Sequence, residues 1–382
     1  MITRDPSLVG QMQAADSSLH VDVDMIAYPR KLFYFRYLVS KGQGGGSFLR
    51  FYSIKDRSPS FLDALVLSRD FQCTDPWDHI FALWDLAQDR DGLDFVPSYE
   101  KPYEEVYKDF TEAWIKQHGI LDIIGAAEFP SPRSFAFYLE APSWCPDWNT
   151  PATTSCLVRR EAIPIMFMSA LQDLTGKLYS ADGDINQAAF DRPIFSFEGM
   201  FLCCTGIIID RIDQIFKDAP DIPGSASKSH WRAIYWAQEM ENLGFSTYED
   251  PARAAWAMFH GDSIAAWPPI EETEAWTVVS RVLRGRRPFI SEDGHMGLAP
   301  AYLAKPERGE TTSMSIAVVA GCSVPLILQD LENGTYRLLG TCFVQGWMDG
   351  EWLNTMMGAE SPKEFWHAMI DGAKLLISCS CD

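Results

Sequence analysis

A chain of 382 residues, 47% of them apolar and 13% aromatic, has ample material for a buried core and room for two domains. Its formal net charge of −20 repels phosphate backbones and anionic headgroups, which makes nucleic acid and membrane surfaces poor partners. No run of about 18 apolar residues predicts a membrane-spanning helix. Residues 1–24 lack the apolar segment of a secretory signal, so the nine irregularly spaced cysteines read as reduced thiols in a cytoplasmic protein.

Residues 1–28 read as a mobile lead-in, and Gly42–Gly46 as a loop without the lysine and helix of a phosphate cradle. Phe61 to Ser68 has helical spacing. The string Thr74-Asp75-Pro76-Trp77-Asp78 carries capping side chains, a proline suited to a first turn and an acid for the helix dipole, and so predicts a capped helix over 74–87. Val106, Phe110, Ala113 and Trp114 share one side of a second helix, Tyr103 to His118, which Gly119 stops. Two prolines four apart keep Pro142-Ser143-Trp144-Cys145-Pro146-Asp147-Trp148 out of regular helix.

Residues 195–212 read as strands, and Ser229–Leu243 and Pro251–Phe259 as helices. The basic run Arg284, Arg286 and Arg287 beside Pro288 reads as a solvated turn entering a strand. From about 288 to 348 short apolar strands alternate with turn signals, Asn333-Gly334 the clearest of them, which predicts a small curved sheet or partial barrel. A helix over Pro362–Leu376 is expected to close the chain, with Cys379 and Cys381 on a frayed tail. The fold class is therefore α+β. Its expected parts are an N-terminal segment over 1–70, a mainly helical body over 71–285, and a β-rich module with a terminal helix over 286–382.

Several of these segments come in a familiar order. Thr74-Asp75-Pro76-Trp77-Asp78-His79-Ile80-Phe81-Ala82-Leu83-Trp84 is similar to the threonine-aspartate-proline-arginine-aspartate-lysine string of fungal heterokaryon-incompatibility (HET) proteins, with Trp77 and His79 at the usual arginine and lysine positions. Pro142-Ser143-Trp144-Cys145-Pro146-Asp147-Trp148, Trp256-Ala257-Met258-Phe259-His260-Gly261-Asp262, and the blocks 286–300, 321–325 and 346–351 follow in family order. The resemblance covers residues 70 to 352. Full-length members begin with a TIR-like HET core linked to cell death, announced by a tyrosine-valine-tryptophan-glycine-like motif. Residues 1–70 hold no such motif, so the death effector is not expected here.

The family blocks explain themselves as structure more readily than as chemistry. Asp75 and Asp78 suit a helix start, and Trp144 and Trp148 a rigid bend packed into the core or, in the functional reading, a ligand wall. Asp293-Gly294-His295 and His260-Gly261-Asp262 are turn sequences in which an acid/base pair is the minority reading. His295 and Asp349 are the candidate polar catalysts, and Trp144, Trp148, Trp256 and Trp347 the candidate substrate contacts. No His-Glu-X-X-His, Cys-X-X-Cys, Gly-X-Ser-X-Gly or dinucleotide fingerprint occurs, so no metal, flavin or nicotinamide cofactor is expected.

Two functions fit. One is a cofactor-independent fungal secondary-metabolite enzyme that folds a hydrophobic polyene or terpenoid for cyclisation, including a Diels–Alder-type cycloaddition, by orientation and one or two hydrogen bonds. The other is a non-enzymatic interaction or regulatory protein of heterokaryon incompatibility. The sequence reading leans to the enzyme, its ligand site placed in a seam between the helical body and the curved sheet.

Overall fold

The computed structural model describes residues 61–86, 89–129, 136–157, 179–217, 235–236, 238–240, 242, 247–259, 284–303, 313–331, 333–353, 361–370 and 374–377. The expectations for residues 1–60, the His260-Gly261-Asp262 turn, the cysteine tail and most of the 229–243 helix lie outside them.

Helix α1, Phe61–Ser68, is buried nearly all round, with Phe61, Leu62, Ala64, Leu65 and Leu67 in the core. Its first N–H, on Phe61, is taken by the carboxylate of Asp89 at 3.0 and 3.1 Å, a cap supplied from a distant loop. The capped helix expected over 74–87 is instead a single turn, α2, Asp78–Phe81, followed by a 3-10 turn at Trp84–Leu86. No side chain caps α2. The carbonyl of Asp75, not its carboxylate, accepts the Asp78 N–H at 3.1 Å. Tertiary bonds outcompete the local cap here: the Tyr107 hydroxyl donates to Pro76 O, the Trp77 indole to Lys101 O, and the Tyr99 hydroxyl to Asp78.

Helix α3, Tyr103–His118, follows the expectation closely. Glu104 and Glu105 sit in its first turn, Lys116 and His118 in its last, and Val106, Phe110, Ala113 and Trp114 are buried. Gly119 ends it with φ +67°, donating to Ile115 O in the left-handed conformation that glycine adopts without strain. Helix α4 spans Pro251–Phe259 and α5 Pro362–Met369. Ser361 and Glu364 form a reciprocal capping box at the start of α5.

Among the described residues nine strands form the β part: β1 Phe195–Glu198, β2 Phe201–Ile215, β3 Arg286–Ser291, β4 Met296–Pro300, β5 Met314–Val319, β6 Leu326–Asp330, β7 Tyr336–Thr341, β8 Phe343–Val344 and β9 Lys374–Ile377. The order β5-β6-β7-β9-β2 closes on itself through an antiparallel β2–β5 pairing, which makes a five-stranded barrel. Only the β7–β9 step in that ring is parallel.

The long strand β2 makes this possible. Its register against β5 slips between Ile208 and Asp210, and its register against β3 slips between Ile212 and Gln214. Such bulges bend a strand. The first part of β2 serves the barrel, and the second part leads into the β2-β3-β4-β8 sheet. The turn at Asn333-Gly334 lies between β6 and β7 as expected, Gly334 at φ +76°.

Both faces of the barrel strands are covered. Ala317, Val319, Leu326, Leu328, Leu338 and Leu375 join the helical core, while the alternate residues Ile316, Val318, Ile327 and Leu339 join a second cluster with Trp352 and Trp366. Strands buried on both sides read as continuous apolar runs, which is how these stand in the sequence.

Two further expectations change. The terminal helix stops at Met369, and Lys374–Ile377 is the strand that closes the barrel, because Leu375 and Ile377 are needed against β2 rather than on a helix face. Arg286 is not solvated. It is fully buried, its guanidinium donating to Thr341 O at 2.7 Å, Thr341 Oγ1 at 3.0 Å and Ser155 O at 2.9 Å, so that it fastens β3 to the end of β7. The preceding Gly285, φ +66°, lies so close to Thr153 O that any Cβ would collide with the backbone.

Candidate functional site

His295 sits in the turn between β3 and β4. Gly294, at φ +87°, lets the chain reverse, Ser291 N donates to His295 O at 3.0 Å, and His295 N donates to Ser291 Oγ at 2.8 Å. This presents the imidazole to Asp210, whose Oδ2 lies 2.9 Å from Nδ1. Asp210 stands at the β2 bulge, its carboxylate almost wholly buried. The Arg211 and Asp293 N–H groups donate to its other oxygen at 2.7 and 3.4 Å. A carboxylate held this way fixes the ring orientation of a histidine.

Trp347 completes the cluster. Its loop follows β8, with Gly346 and Gly350 both in the left-handed region, and its indole lies 4.7 Å from the His295 ring. Tyr248 ties the same corner together, its hydroxyl donating to Gln345 O at 2.8 Å and accepting from Met296 N at 3.3 Å.

The structure therefore brings together two of the residues picked from the sequence, His295 and Trp347. The carboxylate that meets His295 is Asp210. Asp349 ends the Trp347 loop exposed, with its backbone N–H on Glu351. Asp210 left one trace in the sequence: an acid inside the apolar run 207–212.

Trp144 and Trp148 lie elsewhere, fully buried in the cluster that holds α1 and α3, whereas Trp347 belongs to the second cluster. The Trp144 indole donates to Met200 O at 3.0 Å and its ring touches Phe197 at 5.4 Å, so it clamps the β1–β2 hairpin. Arg69 lies 5.6 Å over the Trp148 ring while donating to Ala126 O and Thr150 O. Trp256 is on α4, and its side chain lies outside the described residues.

Two open concavities of about 430 and 440 Å³ flank α3. The first is bounded by Lys108, Glu112, Lys116 and β1, and the second by Phe95, Val96, Lys101 and Asp109. Neither is lined by Trp144, Trp148, His295, Trp347 or Asp349. Among the described residues no group of three His, Cys, Asp or Glu is placed to hold a metal ion, and no helix is long and apolar enough to cross a membrane.

The fold and this corner define an α+β protein with a closed five-stranded barrel and an Asp210–His295–Trp347 cluster where β2 leaves it. Residues 254–366 match the Het-6 beta-barrel domain family, so the chain is heterokaryon-incompatibility-like over the region that carries most barrel strands. It is also similar to "Heterokaryon incompatibility protein 6, OR allele" of Neurospora crassa, 27% identical over 86 residues. That stretch is 22% of this chain and spans only 12% of the relative's length. No solved structure matches the chain.

Proposed function

We propose that this chain is a non-enzymatic interaction or regulatory protein of the heterokaryon-incompatibility type, working in the cytoplasm through contact with another protein. The observation that carries this reading is the match of residues 254–366 to the Het-6 beta-barrel domain, together with the relative's name. The corner around Asp210 and His295 fits it. The Asp210 carboxylate is occupied by two backbone N–H groups and the imidazole, an arrangement that fixes two loops against the barrel. The aromatic wealth that suggested a substrate wall is used in packing at Trp144, Trp148 and Phe197.

Strain pairing separates this reading from the cyclase. Fusion compatibility, scored as heterokaryon growth, is measured between strains with and without the gene, alongside metabolite profiles of the same strains. A change in compatibility with an unchanged profile is expected. Unchanged compatibility with the loss of a cyclised polyene or terpenoid would overturn the proposal.

A further inference from the structure

The β1–β2 hairpin leaves one strand edge open. β1 pairs with β2 on one side, and among the described residues it has no strand on the other. Phase follows from the bonds: Thr205 N donates to Ile194 O at 2.8 Å, so residues 194, 196 and 198 turn their backbone groups toward β2. The N–H and C=O groups of Phe195 and Phe197 consequently point outward. Phe195, Ser196 and Phe197 line the concavity of about 430 Å³ that Lys108, Glu112 and Lys116 of α3 also bound.

Open edges are templates for another strand, and proteins usually blunt or use them. The composition of this groove selects the occupant. Lys116 lies over the Phe197 ring at 5.3 Å and its side chain is 59% exposed, while Lys108 and Lys116 share the carboxylate of Glu112 at 2.9 and 3.3 Å; Asp109, 3.8 Å from Lys108, is held by Lys101 at 2.6 Å. The lining of the groove thus holds two lysines to one glutamate, on a chain whose net charge is −20. A second copy docked edge to edge across a twofold would set these lysines against their own counterparts, and like charges face to face are unfavourable.

We infer that the outer edge of β1 receives an extended acidic peptide segment of a partner protein, which adds a strand beside Phe195–Glu198 and directs a carboxylate side chain onto Lys108 and Lys116. Backbone bonds to Phe195 and Phe197 supply affinity in this mode, and the alternate side chains supply selectivity. The inference rests on the interaction reading above and names the surface that serves it. Trp144 becomes a positioning residue, because its indole bond to Met200 O fixes the hairpin that carries the edge.

The test uses the full chain and three fluorescein-labelled hexapeptides that alternate valine with glutamate, valine with lysine, or valine with glutamate over N-methylated alternate amides. Fluorescence polarisation is expected to show saturable binding of the first alone. The reversal Lys116→Glu, at a side chain 59% exposed, should weaken it by about tenfold while shifting the melting curve only slightly, since an exposed ion pair contributes little to stability. No binding of the glutamate peptide, or binding indifferent to N-methylation or to the lysine reversal, overturns the assignment. So does a dimer in sedimentation equilibrium that the reversal abolishes, which would make a second copy the occupant. Peptides that bind while strain compatibility is independent of the gene would leave the edge assigned and the incompatibility reading lost. The opposite result would remove only the edge.

Discussion

At the scale of single residues, buried polar groups predict more than the exposed ones that first draw the eye. Asp210 accepts from two backbone N–H groups and from His295, so Asp210→Ala strands three donors and should cost about 1–3 kcal/mol in urea unfolding. Asp75 is exposed and its carboxylate does not cap α2. Asp75→Ala should therefore stay within about 0.5 kcal/mol of the parent. Burial pulls the His118 imidazole below its ordinary pKa, with Asp89 opposing, and burial likewise lowers His79. A histidine whose folded pKa lies below its unfolded value takes up its proton mainly on unfolding. Its contribution to stability is intact above the ordinary histidine pKa and falls away as pH drops below it. The urea midpoint should decline from about pH 7.5 to about pH 5.5, and His118→Gln should flatten part of that slope. A midpoint that rises over this interval would mean that Asp89, which burial shifts upward, dominates instead.

At the scale of elements, legibility tracked how local the cause was. Helix α3 could be read to the residue, because its apolar spacing, its acidic first turn and Gly119 all act within the segment. The turn presenting His295 was legible for the same reason, resting on Gly294 in the left-handed region. The 74–87 segment was not, since its capping signals lost to hydrogen bonds with Tyr99, Lys101 O and Tyr107, more than twenty residues away. Asp210 was missed because only the bulge in β2, set by pairing with β5, turns it toward His295. Trp144 could be read as a core indole or a ligand wall and was named a candidate substrate contact; it is fully buried, and its partner Met200 lies on a distant hairpin. Trp144→Phe keeps most of the packing and deletes that bond, so it should cost about 1 kcal/mol. It should also raise amide exchange at Phe201–Thr205 more than in α3, which hydrogen-exchange mass spectrometry would resolve.

At the scale of the whole molecule, closure of the barrel depends on a strand, Lys374–Ile377, whose first three residues were expected to end a helix at Leu376. β9 pairs antiparallel with β2 from Leu202↔Ile377 to Thr205↔Lys374, and parallel with β7 at Tyr336↔Ile377. The glycine at 372 was the available sign that the helix ends earlier, but nothing local says that the residues after it extend along β2. Without β9 the ring opens between β2 and β7, and two long edges with apolar faces lose their cover. Edges of that kind template intermolecular pairing. Ending the chain after Ile370 should accordingly yield protein that retains helical circular dichroism, binds a hydrophobic dye and elutes as aggregates. The milder change Ile377→Ala, at a fully buried closing position, should lower stability by about 2–5 kcal/mol while the protein keeps the parent's elution volume. If the truncated chain stays as stable and as soluble as the parent, closure does not hold the barrel, and the helical layer of α1 and α3 must be carrying the β strands instead.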